Sequence, residues 1–151
     1  MMKIRKLREE ENPPFDLLLL ADPSENLIKE YLKKGLCYIA EDGDRISGVY
    51  VLLPIREETI ELINLAVAEI YQGKGLGKML VMHAIEEARN LRYKRIEVGT
   101  GNSSISQLAL YQKCGFRMNR IDKDFFLKHY EEEIYENGIQ CIDMIRLTQD
   151  I

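Results

Sequence analysis

The sequence predicts a mixed α/β fold: one sheet with parallel and antiparallel pairs, and helices packed on its faces. Two observations carry this reading. Strand-like segments are interleaved with amphipathic helical runs, and a helix between strands is the connection that a parallel pair needs. Asp42-Gly43, between two apolar runs, is a hairpin dipeptide and so marks antiparallel pairing. The chain has 151 residues, which suits one domain, read as 1–151, with one core.

The elements follow in order. "MKIRKL" alternates apolar and charged residues and reads as a strand. "PPFDLLLLADPSENLIKEYLKKG" reads as helical, interrupted at Asp22-Pro23, with Gly35 as its stop. "LCYIAEDGDRISGVYVLLPI" gives two strands around Asp42-Gly43, and "TIELINLAVAEI" a third after a turn at Glu57-Glu58. After "QGKG", Leu76, Leu80, Ala84, Ala88 and Leu91 share one helical face. "KRIEVGTGN" is a short strand. "SSISQLALYQKCG" is a helix with Ser103 or Ser104 as cap and Gly115 as stop. "FRMNRI" and "QCIDMIRL" are the last strands, which gives the order β-α-β-β-β-α-β-α-β-β.

Composition narrows the function. The net charge of -4 argues against a general nucleic-acid binder, which needs a basic face. The apolar run Phe15 to Ala21 is too short to span a bilayer, and "MMKIRKLREE" lacks the apolar centre of a signal peptide. Cys37, Cys114 and Cys141 fit neither a zinc pattern nor a disulfide framework, so no metal is expected and the setting reads as cytoplasmic.

The sharpest motif is "YQGKGLGKML", Tyr71 to Leu80, where glycine-rich turn meets helix. Amides at such a junction hold an anion, helped by the helix dipole. A triphosphate loop would need glycine at Gln72 and a hydroxyl at Met79. A dinucleotide loop would need glycine at Lys78 or Leu80. The pattern that fits is Gln72-x-x-Gly75-x-Gly77, with Lys78 adding charge.

That pattern resembles the pyrophosphate signature of the GNAT superfamily of N-acetyltransferases. "NSSISQLALYQKCGF" resembles a later segment of the same family, and the element order agrees from about Met2 to Leu147. The resemblance implies a mostly antiparallel mixed sheet, splayed between its fourth strand (about Thr59 to Ala68) and its fifth (about Arg95 to Gly99). It implies acetyl-CoA as cosubstrate. Leu65, Ala66 and Val67 would bond the pantetheine arm, with Asn102 helping. Gln72, Gly73, Lys74, Gly75, Leu76, Gly77 and Lys78 would hold the pyrophosphate. The acceptor would be an amine, on a small molecule or a protein, and a homodimer through the last strands is a common arrangement. A non-catalytic acyl-CoA sensor or interaction module is the alternative, as is, more remotely, a nucleotide-binding domain.

The chemistry assigns roles. A lysine-like amine is neutral in roughly one molecule in a few thousand at pH 7, so a base matters. Glu61, on the fourth strand, is the candidate, with a surface or cation-attracting glutamate as the other reading. Alternation places it on the face of Ile63, Leu65 and Val67, so that a bulge or a water relay is needed to reach the amine. By resemblance the Val67 amide faces the oxyanion and Tyr111 protonates the leaving thiolate. Cys114 reads as a packing residue, and His83 as structural or exposed. The Asp122–Gly138 connection holds Phe125, Phe126, His129, Tyr130 and Tyr135. It reads either as a cover over the acceptor or as a loop packed on the core. Glu131 to Glu133 read as solvated, and the roles of Tyr130 and Glu136 stay open.

Overall fold

The computed structural model describes residues 2–151. Its main sheet takes β1 (Met2–Lys6), β2 (Leu36–Asp42), β3 (Arg45–Arg56), β4 (Thr59–Val67), β5 (Arg95–Gly101), β6 (Arg117–Asp122) and β9 (Met144–Asp150), in the order β1-β2-β3-β4-β5-β9-β6. Its helices are α1 (Phe15–Ala21), α2 (Glu25–Leu32), α3 (Leu76–Asn90), α4 (Ile105–Lys113) and α5 (Phe125–His129). A separate hairpin joins β7 (Tyr135–Glu136) to β8 (Ile139–Gln140).

One crossover helix, α3, links a parallel pair, β4 and β5. The second, α4, does not. β9 inserts between β5 and β6 and pairs antiparallel with both. The last strand also begins later than "QCIDMIRL" suggests. The Asn102 side chain binds the Ile142 and Asp143 amides at 2.8 and 3.0 Å, which keeps that stretch out of the ladder.

Helices cover both faces. Leu76, Leu80, Val81, Ala84, Ile85 and Ala88 of α3 are buried against one face. Leu91 falls beyond the helix and is 41% exposed, so it is not part of that stripe. Leu17, Leu18, Ile28 and Tyr31 of α1 and α2 fill the other face. The break at Asp22-Pro23 separates these helices. Ser24 caps α2, its hydroxyl accepting from the Leu27 amide at 3.2 Å. Ser104 precedes α4 but makes no cap bond; its hydroxyl serves Glu136 instead. Gly115 ends α4 with φ +100°, where a side chain would be strained. The three cysteines are buried and free.

Two irregularities in β4 create the site. First, the β4–β5 ladder runs only from Thr59 and Arg95 to Leu62 and Val98. Beyond it β4 pairs with β3 alone, while β5 stays with β9. The sheet is splayed there, as expected. Second, Val51 pairs with Asn64 but Leu52 pairs with Leu62, so Ile63 is an extra residue in β4. This bulge reverses the alternation. Leu65 packs in the α3-side core with Leu62, while Glu61 pairs with Leu53, whose side chain meets the α1–α2 core. Glu61 therefore does not share a face with Leu65 and Val67.

Candidate active site

The turn into α3 is built by backbone geometry. Gly73 and Gly75 have φ of +77° and +84°, and a Cβ on either would meet nothing within 4 Å. Conformation rather than crowding requires glycine here. The first helical bond at this end runs from Met79 N to Gly75 O, so the Leu76, Gly77 and Lys78 amides lie in the first turn without an intrahelical acceptor. They form a ready anion site. The Leu76 side chain is buried in the core, so its share of the site is its amide. Lys74 and Lys78 are exposed.

The open edge of β4 leads from this turn inward. The Ala68 amide donates to Ser47 O on the β3 side. Strand alternation then turns the main-chain groups of Ala66 toward β3 and those of Leu65 and Val67 into the gap. The Gln72 amide group takes the Val67 carbonyl at 3.0 Å, and the Val67 N–H is left facing the gap. Leu65, Val67, Gln72, Gly73 and Gly77 line a cavity of roughly 340 Å³ here. It shares Leu20, Ala21, Leu65 and Gln107 with a larger cavity of roughly 570 Å³.

Glu61 and Tyr111, far apart in sequence, both wall the larger cavity. Tyr111 is 5% exposed and its ring meets Phe116 edge-on at 5.9 Å. Burial holds its hydroxyl proton well beyond the ordinary tyrosine range. That hydroxyl has no hydrogen-bond partner among the described residues, so its proton is free for a ligand. Burial likewise pushes the Glu61 carboxyl above the usual glutamate range, against the pull of Arg146 and with help from Glu97. Arg146 meets Glu61 at 3.3 Å and Asp122 at 3.1 Å, and lies 5.4 Å over the Phe125 ring. Gly99 makes room for it, since a Cβ there would stand 3.0 Å from the Arg146 guanidinium and 2.7 Å from Met144 Sδ. Beside Glu61 in register, Glu97 is 2% exposed and is met by Arg56 at 3.0 Å and Arg120 at 3.5 Å.

The Asp122–Gly138 connection supplies the far wall. Phe125, Phe126, Tyr130 and Glu136 line the cavity. Glu131 to Glu133 are exposed and the His129 ring lies tilted against Phe125 at 4.4 Å, none of them lining the cavity. The Tyr130 hydroxyl donates to Asp22 at 2.9 Å, which ties this segment to the α1–α2 turn.

Other expected residues fall elsewhere. Asn102 lines neither cavity. Its amide donates to Gln140 O at 3.1 Å and its oxygen accepts from Ile142 and Asp143, so its side chain is a clasp on the chain. His83 binds the buried Tyr50 hydroxyl at 2.7 Å and is structural. Cys114 is buried, lines neither cavity, and its thiol is pushed up by burial against the pull of Lys78. No group of three or more histidine, cysteine or acidic residues could hold a metal among the described residues. No helix among them is long and apolar enough to cross a membrane. Sequence reasoning missed Asp22, Tyr31, Asn64 and Arg146 in the wall; Asp22 carried a signal, but only as a helix break.

Comparisons with known proteins agree with this architecture. The family described as "Acetyltransferase (GNAT) family" matches residues 3–116. The chain is 59% identical to the Bacillus subtilis protein named uncharacterized N-acetyltransferase YvbK, covering 100% of this chain and 99% of that one. The structure of an IAA acetyltransferase from Bacillus cereus superposes with a TM-score of 0.96 at 56% identity, covering 100% of both chains. A GNAT family acetyltransferase from Elizabethkingia anophelis, with acetyl-CoA bound, superposes with a TM-score of 0.98 at 49% identity over 99% of this chain and 98% of that one. The splayed sheet, the glycine turn and these likenesses together establish that this chain belongs to the GNAT family of acetyltransferases.

Proposed function

We propose that this enzyme transfers the acetyl group of acetyl-CoA to a primary amine by direct attack in a ternary complex. The observation that carries the reading is the continuity of three parts: the glycine turn, the unpaired β4 edge, and the cavity walled by Glu61 and Tyr111. The relative solved with acetyl-CoA supports the cosubstrate. The turn amides of Gly73 to Lys78 hold the pyrophosphate, and the main chain of Leu65 and Val67 bonds the pantetheine arm. Gln72 keeps the end of β4 in place through the Val67 carbonyl.

The residues then divide the proton work. Glu61 takes a proton from the acceptor ammonium, directly or through water. The neutral nitrogen attacks the thioester carbonyl, and the Val67 amide stabilises the oxyanion. As the C–S bond breaks, Tyr111 gives its proton to the departing sulfur and recovers one from solvent or from the acceptor nitrogen.

A panel of amines, assayed with acetyl-CoA by thiol release, tests the reaction. Turnover of amines is the expected result. Because the Bacillus cereus relative is named for IAA, IAA joins the panel. Acetyl transfer to IAA but to no amine would overturn the amine assignment, and coenzyme binding without any turnover would overturn catalysis. Lys78 offers a narrower check on the anion site. Lys78→Ala is expected to raise the Kd for CoA by less than about tenfold, because an exposed side-chain charge is screened while the backbone amides remain. Calorimetry that found binding abolished would mean that the side chain, not the turn, holds the anion.

A further inference from the structure

We infer that the acceptor is an amine bearing a second cationic nitrogen, a diamine being the simplest case, and that Asp22 receives the second charge. The inference rests on the proposed reaction, since it names the acceptor of the same cavity. Three carboxylates, Asp22, Glu61 and Glu136, wall that cavity, against one arginine, Arg146. Arg146 is already shared between Glu61 and Asp122.

Asp22 and Glu136 have no cationic partner among the described residues. Neutral donors hold them instead. Asp22 accepts from the Ser24 amide at 3.0 Å and from the hydroxyls of Tyr130 and Tyr31 at 2.9 and 3.4 Å. Glu136 accepts from Ser104 and Ser103 at 2.8 and 3.3 Å. A carboxylate fixed by hydroxyls is oriented with no protein cation beside it. Asp22 is partly buried whereas Glu136 is exposed, so Asp22 is the stronger anchor and Glu136 steers at the rim.

A second, independent sign comes from Asn64. Its amide nitrogen donates to Leu18 O and to the Tyr31 hydroxyl at 3.1 and 2.8 Å, which fixes its orientation. Its oxygen is buried with no hydrogen-bond partner, on a residue of the same wall that is 3% exposed. The wall thus presents the carboxylate oxygens of Asp22 and Glu136 as acceptors, with the Asn64 oxygen an unmet acceptor buried behind its surface. It suits ammonium groups, each with several N–H donors. Phe125, Phe126 and Tyr130 give the chain between two such groups an apolar and aromatic surface, which also favours cations. An amino acid acceptor would bring its carboxylate against the same acidic wall, and could reach Arg146 only by displacing Glu61 or Asp122.

The test uses a short alkyl series, each length offered as monoamine, α,ω-diamine and ω-amino acid. kcat/KM with acetyl-CoA is read for each, alongside calorimetric binding to protein saturated with CoA. The best diamine is expected to exceed the monoamine of its length by about tenfold or more, with the amino acid below both. Raising ionic strength should shrink that ratio, and Asp22→Asn should bring it close to unity. Equal values for the three classes, a preference for the amino acid, or a ratio untouched by both salt and Asp22→Asn would overturn the inference. Thiol release from no amine would overturn the proposed reaction instead. Binding to the CoA-loaded protein would still rank the three classes, and equal binding would overturn the diamine assignment by itself.

Discussion

Tyr111→Phe is expected to lower kcat by roughly 10²- to 10⁴-fold while leaving the Kd for acetyl-CoA nearly unchanged. The substitution removes one hydroxyl and keeps the ring that packs edge-on against Phe116. No internal hydrogen bond is lost, because that hydroxyl has none among the described residues. The fold should therefore be intact, and the loss should lie in the step that releases sulfur. A free thiol has a pKa of about 8.5, so an unassisted thiolate is a tolerable leaving group in water but a costly one in a low-dielectric cavity. Burial raises the Tyr111 pKa, so the group stays protonated through the neutral range. Any loss of activity from its own ionisation belongs above the ordinary tyrosine value of about 10. Steady-state kinetics with a pH profile decide the matter. Unchanged turnover and an unchanged profile would remove Tyr111 from the mechanism.

Glu61→Gln is expected to cost roughly 10²- to 10³-fold in kcat/KM and to erase the acidic limb of its pH profile. The sign follows from the direction of the shift. A base works when deprotonated, and burial raises the Glu61 pKa. Activity in the native enzyme should therefore fall as pH drops through a value above the ordinary glutamate figure of about 4.3. Folding responds in the opposite direction: a raised carboxyl pKa favours the folded state below the unfolded value, and that contribution is lost as pH rises through the folded one. Glutamine keeps the shape, and Arg146 keeps Asp122 as a partner. A higher KM with kcat and the acidic limb intact would make Glu61 an attractor of cations rather than a base.

The legible parts of this protein were those with a local cause. Gly73 and Gly75 need positive φ, a demand that sequence records as glycine. The α3 stripe is visible because a helix face repeats at short spacing. What stayed hidden is set by tertiary pairing. An extra residue at Ile63 leaves no compositional mark, yet it moves Glu61 to the other face. β9 between β5 and β6 cannot be read from element order alone. Arg146 lies 85 positions from the glutamate it meets, and within its own strand it looks like any alternating charge. Asn102 illustrates the converse. The resemblance implies a ligand role, and what the structure adds is three side-chain bonds, all made to the segment that precedes β9.

The short β4–β5 ladder has a mechanical meaning. It leaves β1 to β4 and β5, β9 and β6 as two half-sheets joined by a seam that spans only Thr59 to Leu62 on one side. Strand pairing cannot continue past that seam, so the two halves depend on α3, α4 and their side chains to stay in register. A molecule bonded along the free edge would act as the missing rung between them. Occupancy would then set the stiffness of the whole sheet, and linkage requires the stabilisation to grow with the logarithm of ligand concentration once the site is saturated. In such a design the cleft between β4 and β5 is also the joint between the two half-sheets.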